Sequence, residues 1–336
     1  MIKVTFQTNK NHCRAYINPI FLPRNHLYNL KPFLLILNIT AMYRCKRIMV
    51  GLDFTLLDKT LITYAGFVST LIKAEKVYFV NIQKSLDIPP DLWSDFPEFH
   101  IPRDEQLRLK MREEVAANFG EQKNIEIDYI IAEGSPLKEM THLARIKNID
   151  LVIVGRKNEL KGKGILPNQL MRSVPCCILF VPETARKRLN EIMVDVDFSD
   201  ASKAALEVAY SLSEDNPDVT IHCQHIYHVP AGYYFNDKGK EEVNRVIKSY
   251  HVLQYNRFID NLNMEGIHLN PIFTLDEEGD MVHVACNTAQ KKGADLIVAG
   301  SNGKTTFDTF ILGSFTEKIV QLNVSIPLLI VKQKQL

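Results

Sequence analysis

Asp295-Leu-Ile-Val-Ala-Gly-Ser-Asn-Gly-Lys-Thr-Thr-Phe-Asp-Thr-Phe-Ile-Leu-Gly-Ser314 reads as a buried strand, a glycine turn, a crossing loop and a glycine-serine pair that opens a helix. The run Leu296–Ala299 is apolar without alternation, which is the pattern of a strand covered by helices on both faces. Gly300 and Gly303 end it, and Gly313-Ser314 follows nine residues after the loop begins. Glycines let backbone N–H groups converge where a side chain would block an anion. A helix N-terminus adds unpaired donors and the positive end of its dipole. The stretch is therefore a strand–loop–helix unit shaped as a phosphate cradle.

Gly303-Lys304-Thr305 imitates the end of a Walker A loop, but that motif needs glycine at position 298, where this chain has Val298. A true P-loop would also need Lys304 to reach the terminal phosphates. Lys304 is read instead as a solvated loop cation that can screen phosphate charge.

Outward from this unit, the chain is written twice. Lys46-Arg-Ile-Met-Val-Gly-Leu-Asp53-Phe-Thr matches Asn190-Glu-Ile-Met-Val-Asp-Val-Asp197-Phe-Ser. Glu133-Gly134-Ser135 matches Glu278-Gly279-Asp280, and Ile149-Asp-Leu-Val-Ile-Val-Gly155 matches Ala294-Asp-Leu-Ile-Val-Ala-Gly300. Val174-Pro-Cys-Cys-Ile-Leu-Phe-Val181 matches Ile326-Pro-Leu-Leu-Ile-Val331 in character. A repeat of this length is a duplicated domain and not a solenoid unit. Each copy alternates strand and helix patterns, which implies α/β architecture: two tandem open parallel five-stranded sheets with helices on both faces, Rossmann-like. In the second copy the pattern predicts strands near 190–196, 218–226, 267–274, 294–300 and 326–332. Helices are predicted near 200–213, 240–264, 280–292 and 313–322. Asp280 is the expected N-cap of one helix, and Ser135 before Pro136 that of its counterpart. Ligands of such sheets bind beyond the carboxyl ends of the strands, where Asp197, His225-Ile226 and Gly300 fall.

These residues together resemble the universal stress protein family in its tandem two-domain form, over roughly residues 44–333. The most specific element is the family's G-x2-G-x9-G-[ST] pattern, matched by Gly300, Gly303, Gly313 and Ser314, with Asp197 standing in a V-D-x-S context. The resemblance implies an adenine nucleotide hydrolase-like fold with pseudo-twofold related domains. It also implies ATP as ligand, with or without Mg2+. On that basis Asp197 and the backbone near Ile226 flank the adenosine. N–H groups around Gly303, Gly313, Ser314 and Phe315 hold the phosphates, with the Ser314 hydroxyl adding a bond.

The expected layout is an N-terminal extension at 1–43, a first domain at 44–183 and a second at 189–333. The first copy departs from the pattern. Gly155 to Pro175 is seven residues shorter than Gly300 to Pro327, Asn158 replaces the counterpart of Gly303, and no glycine-serine pair opens the next helix. Gly162 and Gly164, with Lys157, Lys161 and Lys163, read as a solvated basic loop. Asp53 then caps a turn, and the second copy holds the one competent nucleotide site. Residues 1–41 have no repeat counterpart, and the extension reads as disordered or as a mis-assigned start ahead of Met42.

Composition bounds the function. The 336 residues carry a net charge of +1, which gives no case for nucleic acid or an anionic membrane as partner. Phe33 to Ile39 is apolar but too short to span a bilayer. The six cysteines contain no CxxC pair and read as buried thiols of a cytoplasmic protein. His222, His225 and His228 alternate faces on a strand, so they do not converge on a metal. The aromatic stretches holding Trp93 and Phe96, and Tyr233 to Phe235, read as loops packed on neighbouring helices or on the other domain.

No triad-like pairing is present at usable positions. The leading expectation is thus a stress-response protein that binds ATP and signals through a protein partner. Slow ATP hydrolysis and a nucleotide-free interaction role are the alternatives. The edge strands Cys176–Val181 and Ile326–Val331 are expected to pair the two copies as an intrachain pseudo-dimer, with a homodimer as a further option.

Overall fold

Ten strands line up in one sheet in the order β3-β2-β1-β4-β5-β10-β9-β6-β7-β8. The computed structural model describes residues 45–85, 102–121, 124–156, 165–230, 232, 239–262, 264, 268–302, 313–322 and 324–332. The strands are β1 Arg47–Leu52, β2 Lys76–Gln83, β3 Glu126–Glu133, β4 Leu151–Arg156, β5 Cys177–Pro182, β6 Glu191–Asp195, β7 Thr220–Tyr227, β8 Leu269–Leu275, β9 Leu296–Gly300 and β10 Leu328–Val331. The helices between them are α1 Leu57–Leu71, α2 Arg103–Asn118, α3 Pro136–Ile146, α4 Ile165–Ser173, α5 Asp200–Ser213, α6 Gly239–Asp260, α7 Met281–Lys291 and α8 Ser314–Gln321. The sequence pattern thus places every element of the second copy, with ends differing by a few residues at most, as expected where the last turn frays.

Each half of the sheet is parallel, and the second repeats the strand order of the first. The halves meet where β10 runs antiparallel to β5, Leu328 opposite Phe180 and Ile330 opposite Ile178. Two apolar edges that would each expose unpaired backbone groups thereby cover one another. The two copies form one compact body over Cys45–Leu336. One hydrophobic core runs across the joint, through Met49, Met171, Phe180, Met193, Ile297, Ile319 and Ile330. Thr184 Oγ1 donates to Ser325 O at 2.7 Å and Lys332 Nζ to Val174 O at 2.6 Å, adding polar ties between the copies.

The repeat extends to local geometry. Phe54 and Phe198 follow the strand-end aspartates and both adopt positive φ, 58° and 64°. Gly134 and Gly279 turn the chain with φ of 138° and 78°, a region that glycine enters without steric cost. Asp280 caps α7, its carboxylate accepting from the His283 N–H at 3.2 Å. Ser135 departs from expectation: it stands at the N-cap of α3 with Pro136 in the first turn, but its side chain makes no capping bond.

Candidate functional site

In the second copy the switch in strand order falls between β6 and β9, and a crevice opens at their carboxyl ends. It encloses about 240 Å³. Asp197, Ile226, Gly300, Gly313, Ser314 and Phe315 all line it, so six of the seven residues singled out by sequence come together. The seventh, Gly303, lies outside the described residues, as do Lys304 and the loop 157–164 of the first copy.

Each wall has a local cause. Asp197 stands two residues past the end of β6, and its Oδ1 accepts from the Ser199 N–H at 3.0 Å and the Ser199 hydroxyl at 2.5 Å. Ser199 in turn caps α5, accepting from the Ser202 N–H at 3.1 Å. This tight Asx turn holds Phe198 in its left-handed conformation and stacks its ring on His225, centroids 4.3 Å apart. His225 Nδ1 faces the Val196 carbonyl at 2.6 Å, which makes Nδ1 the protonated nitrogen. Its Nε2 then accepts from His251 Nδ1, 2.9 Å away on α6. His225 therefore pins the end of β6 to β7. His222 is buried and paired with Glu191 at 2.7 Å, and among the described residues there is no cluster of three metal-ligating side chains.

Gly300 is glycine for a packing reason. A Cβ there would lie 2.7 Å from the Ala201 carbonyl carbon and oxygen and 2.8 Å from its Cβ. The first turn of α5 thus presses onto the end of β9, and Gly300 O accepts the Thr316 hydroxyl at 2.8 Å from α8. Gly300, expected from the sequence as a cradle glycine, is thus required by this close approach. Gly313 also differs from expectation: its N–H donates to Ser301 O at 3.0 Å, so this donor is already engaged. The first-turn N–H groups of Ser314 and Phe315 stand where no intrahelical carbonyl can reach them, and both residues line the crevice.

Two lining residues were missed by sequence reasoning. Asp195 and Gln224 lie opposite one another on β6 and β7. Asp195 retains some exposure as a residue, yet both carboxyl oxygens are sealed from solvent and without a hydrogen-bond partner, as is Gln224 Oε1. Burial, reinforced by the charge of Asp197, raises the Asp195 carboxyl from 3.8 to about 7. The signal was available: a carboxylate inside the apolar run Ile192-Met-Val-Asp-Val196 is a rare buried charge.

The first copy has the same backbone with the crevice filled. Its positions 57 and 58 are Leu and Asp where the second copy has Ala201 and Ser202. The buried Asp58 carboxylate accepts the Phe54 N–H at 2.7 Å and the Asp53 N–H at 3.2 Å. Leu57 Cδ2 lies 2.4 Å from where a Cβ on Gly155 would stand, so its side chain occupies the space above that glycine. Asp53 accepts the Thr55 hydroxyl at 2.6 Å and caps a turn, as the sequence suggested.

A Rossmann-like half-sheet with a strand-end aspartate and a helix amino terminus around one crevice has the layout in which open α/β sheets carry their ligands. Residues 189–332 match the model of the universal stress protein family. Among relatives, Universal stress protein YxiE of Bacillus subtilis is 28% identical over 156 residues, covering 43% of this chain and 99% of that protein. Universal stress protein MJ0531 of Methanocaldococcus jannaschii is 26% identical over 157 residues, 43% of this chain and 82% of that protein.

Two solved structures extend the likeness of fold across both copies. A universal stress protein from Archaeoglobus fulgidus has a TM-score of 0.58 at 16% identity, covering 87% of this chain and 100% of its own. A functionally unknown protein from Pseudomonas aeruginosa scores 0.56 at 16% identity, covering 88% and 95%. Among the described residues no helix is long and apolar enough to cross a membrane.

Proposed function

We propose that the second copy binds ATP, with or without Mg2+, and that the protein acts in a stress response through nucleotide-dependent contacts with a protein partner. The observation that carries this is the convergence of Asp197, Ile226, Gly300, Gly313, Ser314 and Phe315 on one crevice at the carboxyl edge of the sheet. The residues present fit the ligand. Triphosphate oxygens would meet the amino end of α8, where the Ser314 and Phe315 N–H groups and the helix dipole favour negative charge. The nucleoside would lie towards Asp197 and the end of β7.

The contrast between copies supports one site per chain. Asp58 and Leu57 occupy the first crevice with the chain's own carboxylate and methyl groups. Calorimetric titration of the purified protein with ATP is expected to give a stoichiometry near one. Two equivalent sites, or no binding, would overturn the reading. Mass spectrometry of the nucleotide that co-purifies tests its identity directly.

The reading assigns binding and no catalytic step to these residues. Steady ATP turnover well above that of Gly313→Asp would favour a slow phosphohydrolase instead.

A further inference from the structure

The two copies differ most sharply at the floor of the crevice. The first copy has Gly51 and Val80 at the positions where the second has Asp195 and Gln224. In the first copy that floor is dry: a Cβ on Gly51 would meet the Met140 side chain at 3.1 Å. In the second, a carboxyl and a carboxamide replace apolar atoms, with three oxygens sealed from solvent and lacking a donor. The Gln224 amide nitrogen is already committed, donating to Thr288 Oγ1 at 3.0 Å and Thr274 Oγ1 at 3.3 Å, so its oxygen is left without a donor on a residue that lines the crevice.

An orphaned buried acceptor costs roughly 1–3 kcal/mol. Three of them gathered on one cavity wall, where the sister copy shows that an apolar floor is compatible with the fold, mark a surface built for a partner that is not protein.

We infer that Asp195 and Gln224 form an acceptor pair that selects the ligand by a neutral hydrogen-bond donor, a hydroxyl or an exocyclic amine, presented to the crevice floor. The inference rests on the nucleotide reading for its probes. An acceptor pair offers phosphate oxygens no donor, so the pair reads the nucleoside end while α8 takes the triphosphate. Buried polar groups left unpaired by the wrong ligand give stronger discrimination than apolar fit does. Asp195 and Gln224 are thus specificity-determining residues, distinct from the cradle matched by the family pattern.

The test is titration of the full chain and of Asp195→Ala with ATP, 2′-deoxy-ATP, 3′-deoxy-ATP and inosine triphosphate, the last carrying a carbonyl in place of the amine. The wild type is expected to prefer ATP by about 10-fold or more over at least one analogue, and that analogue identifies the donor. In Asp195→Ala the ratio should fall to within about 2-fold, while Asp195→Asn, which keeps an acceptor oxygen, should retain part of it. Gln224→Val copies the first copy's Val80 and should weaken the same ratio.

Without nucleotide, the melting temperature of Asp195→Ala should equal or exceed that of wild type, because an unpaired carboxyl has been removed. A preserved ratio in Asp195→Ala, no preference in wild type, or a lowered melting temperature of the nucleotide-free variant would each overturn the proposal. A wild type that binds none of the four nucleotides would instead remove the nucleotide reading on which it stands.

Discussion

Replacing Gly300 by alanine separates packing from flexibility at the point where the site is built. The added Cβ would fall 2.7–2.8 Å from three atoms of Ala201, two of them backbone. Backbone in the first turn of a packed helix has no rotamer to escape into, so either β9 or α5 must move. Overpacking of this kind costs about 1–3 kcal/mol, while the loss of glycine's unfolded-state freedom returns roughly 0.4–1 kcal/mol. The net expectation for Gly300→Ala is a destabilisation of about 1–2 kcal/mol.

Gly155→Ala is the internal control. It occupies the equivalent position, but its new Cβ would meet the far end of the Leu57 side chain, 2.4 Å from Cδ2. A leucine terminus can rotate, so Gly155→Ala should cost less, about 1 kcal/mol or below. Thermal melting by calorimetry reads the pair: about 1–2 °C corresponds to 1 kcal/mol in a chain of this size. Because α5 begins just after the Asp197 turn, Gly300→Ala should also weaken ATP binding, and Gly155→Ala should not. If Gly155→Ala proves as costly as Gly300→Ala, or if Gly300→Ala leaves both stability and affinity unchanged, the argument from close approach fails.

Three further perturbations probe other links. Gly313 has the extended backbone of an N-cap, φ −65° and ψ 142°, so Gly313→Asp should hold or slightly raise the melting temperature, aspartate being the better cap. The same variant should lose ATP binding in the titration, its carboxylate standing where phosphate would. Arg156 is buried and crosses from the first copy to donate to the Ile319 and Val320 carbonyls at 3.0 and 2.6 Å, closing the carboxyl end of α8. Arg156→Met should therefore cost about 1–3 kcal/mol in denaturant titration and weaken nucleotide binding by loosening α8.

The raised carboxyl of Asp195, at about 7, keeps its proton in the folded state through a window where the unfolded chain has lost it. Stability from this group is therefore fully present below about pH 4 and declines as pH rises to 7. Asp195→Asn has no such slope, so its stability relative to wild type should grow by about 4 kcal/mol between pH 4 and pH 8. Asp197 is the neighbouring charge that reinforces the shift, while the Cys286 thiol on α7, pushed up to about 11 by burial, stays neutral across this range.

The fold was legible because apolar runs, glycine turns and a second copy of each agreed. Strands such as Leu151–Gly155 and Leu296–Gly300 have no amphipathic ambiguity, and the duplication fixed which segments were equivalent. The outer ring of the site was legible for the same reason, since Asp197, Gly313 and Ser314 sit at strand ends and helix starts. The floor was not. Asp195 and Gln224 lie inside strands, where sequence gives no account of which neighbour a side chain meets across the sheet. The filling of the first copy was also hidden. Leu57 and Asp58 look like an ordinary helix start, and only the crossing of α1 over β4 turns them into a plug. Gly313 shows the opposite limit: spacing found the residue, but the hydrogen bond of its N–H to Ser301 depends on a loop closure that no local pattern encodes.

The first copy is best understood as the scaffold of the second with its chemistry replaced, residue for residue, by its own packing. Asn81 Nδ2 donates to Leu52 O at 2.9 Å where His225 Nδ1 donates to Val196 O, so the strand-end tie survives while its aromatic stack is lost. The backbone N–H groups of Asp53 and Phe54 take an internal carboxylate from Asp58. A closed copy of this kind still contributes to the open one. Its last strand covers the β10 edge, and Arg156 from β4 holds the carboxyl end of the helix whose amino end faces the crevice. The cradle of the second copy is therefore oriented partly by residues of the first. A second domain expressed alone would expose β10, lack Arg156, and bind nucleotide less well than the full chain even if it folds.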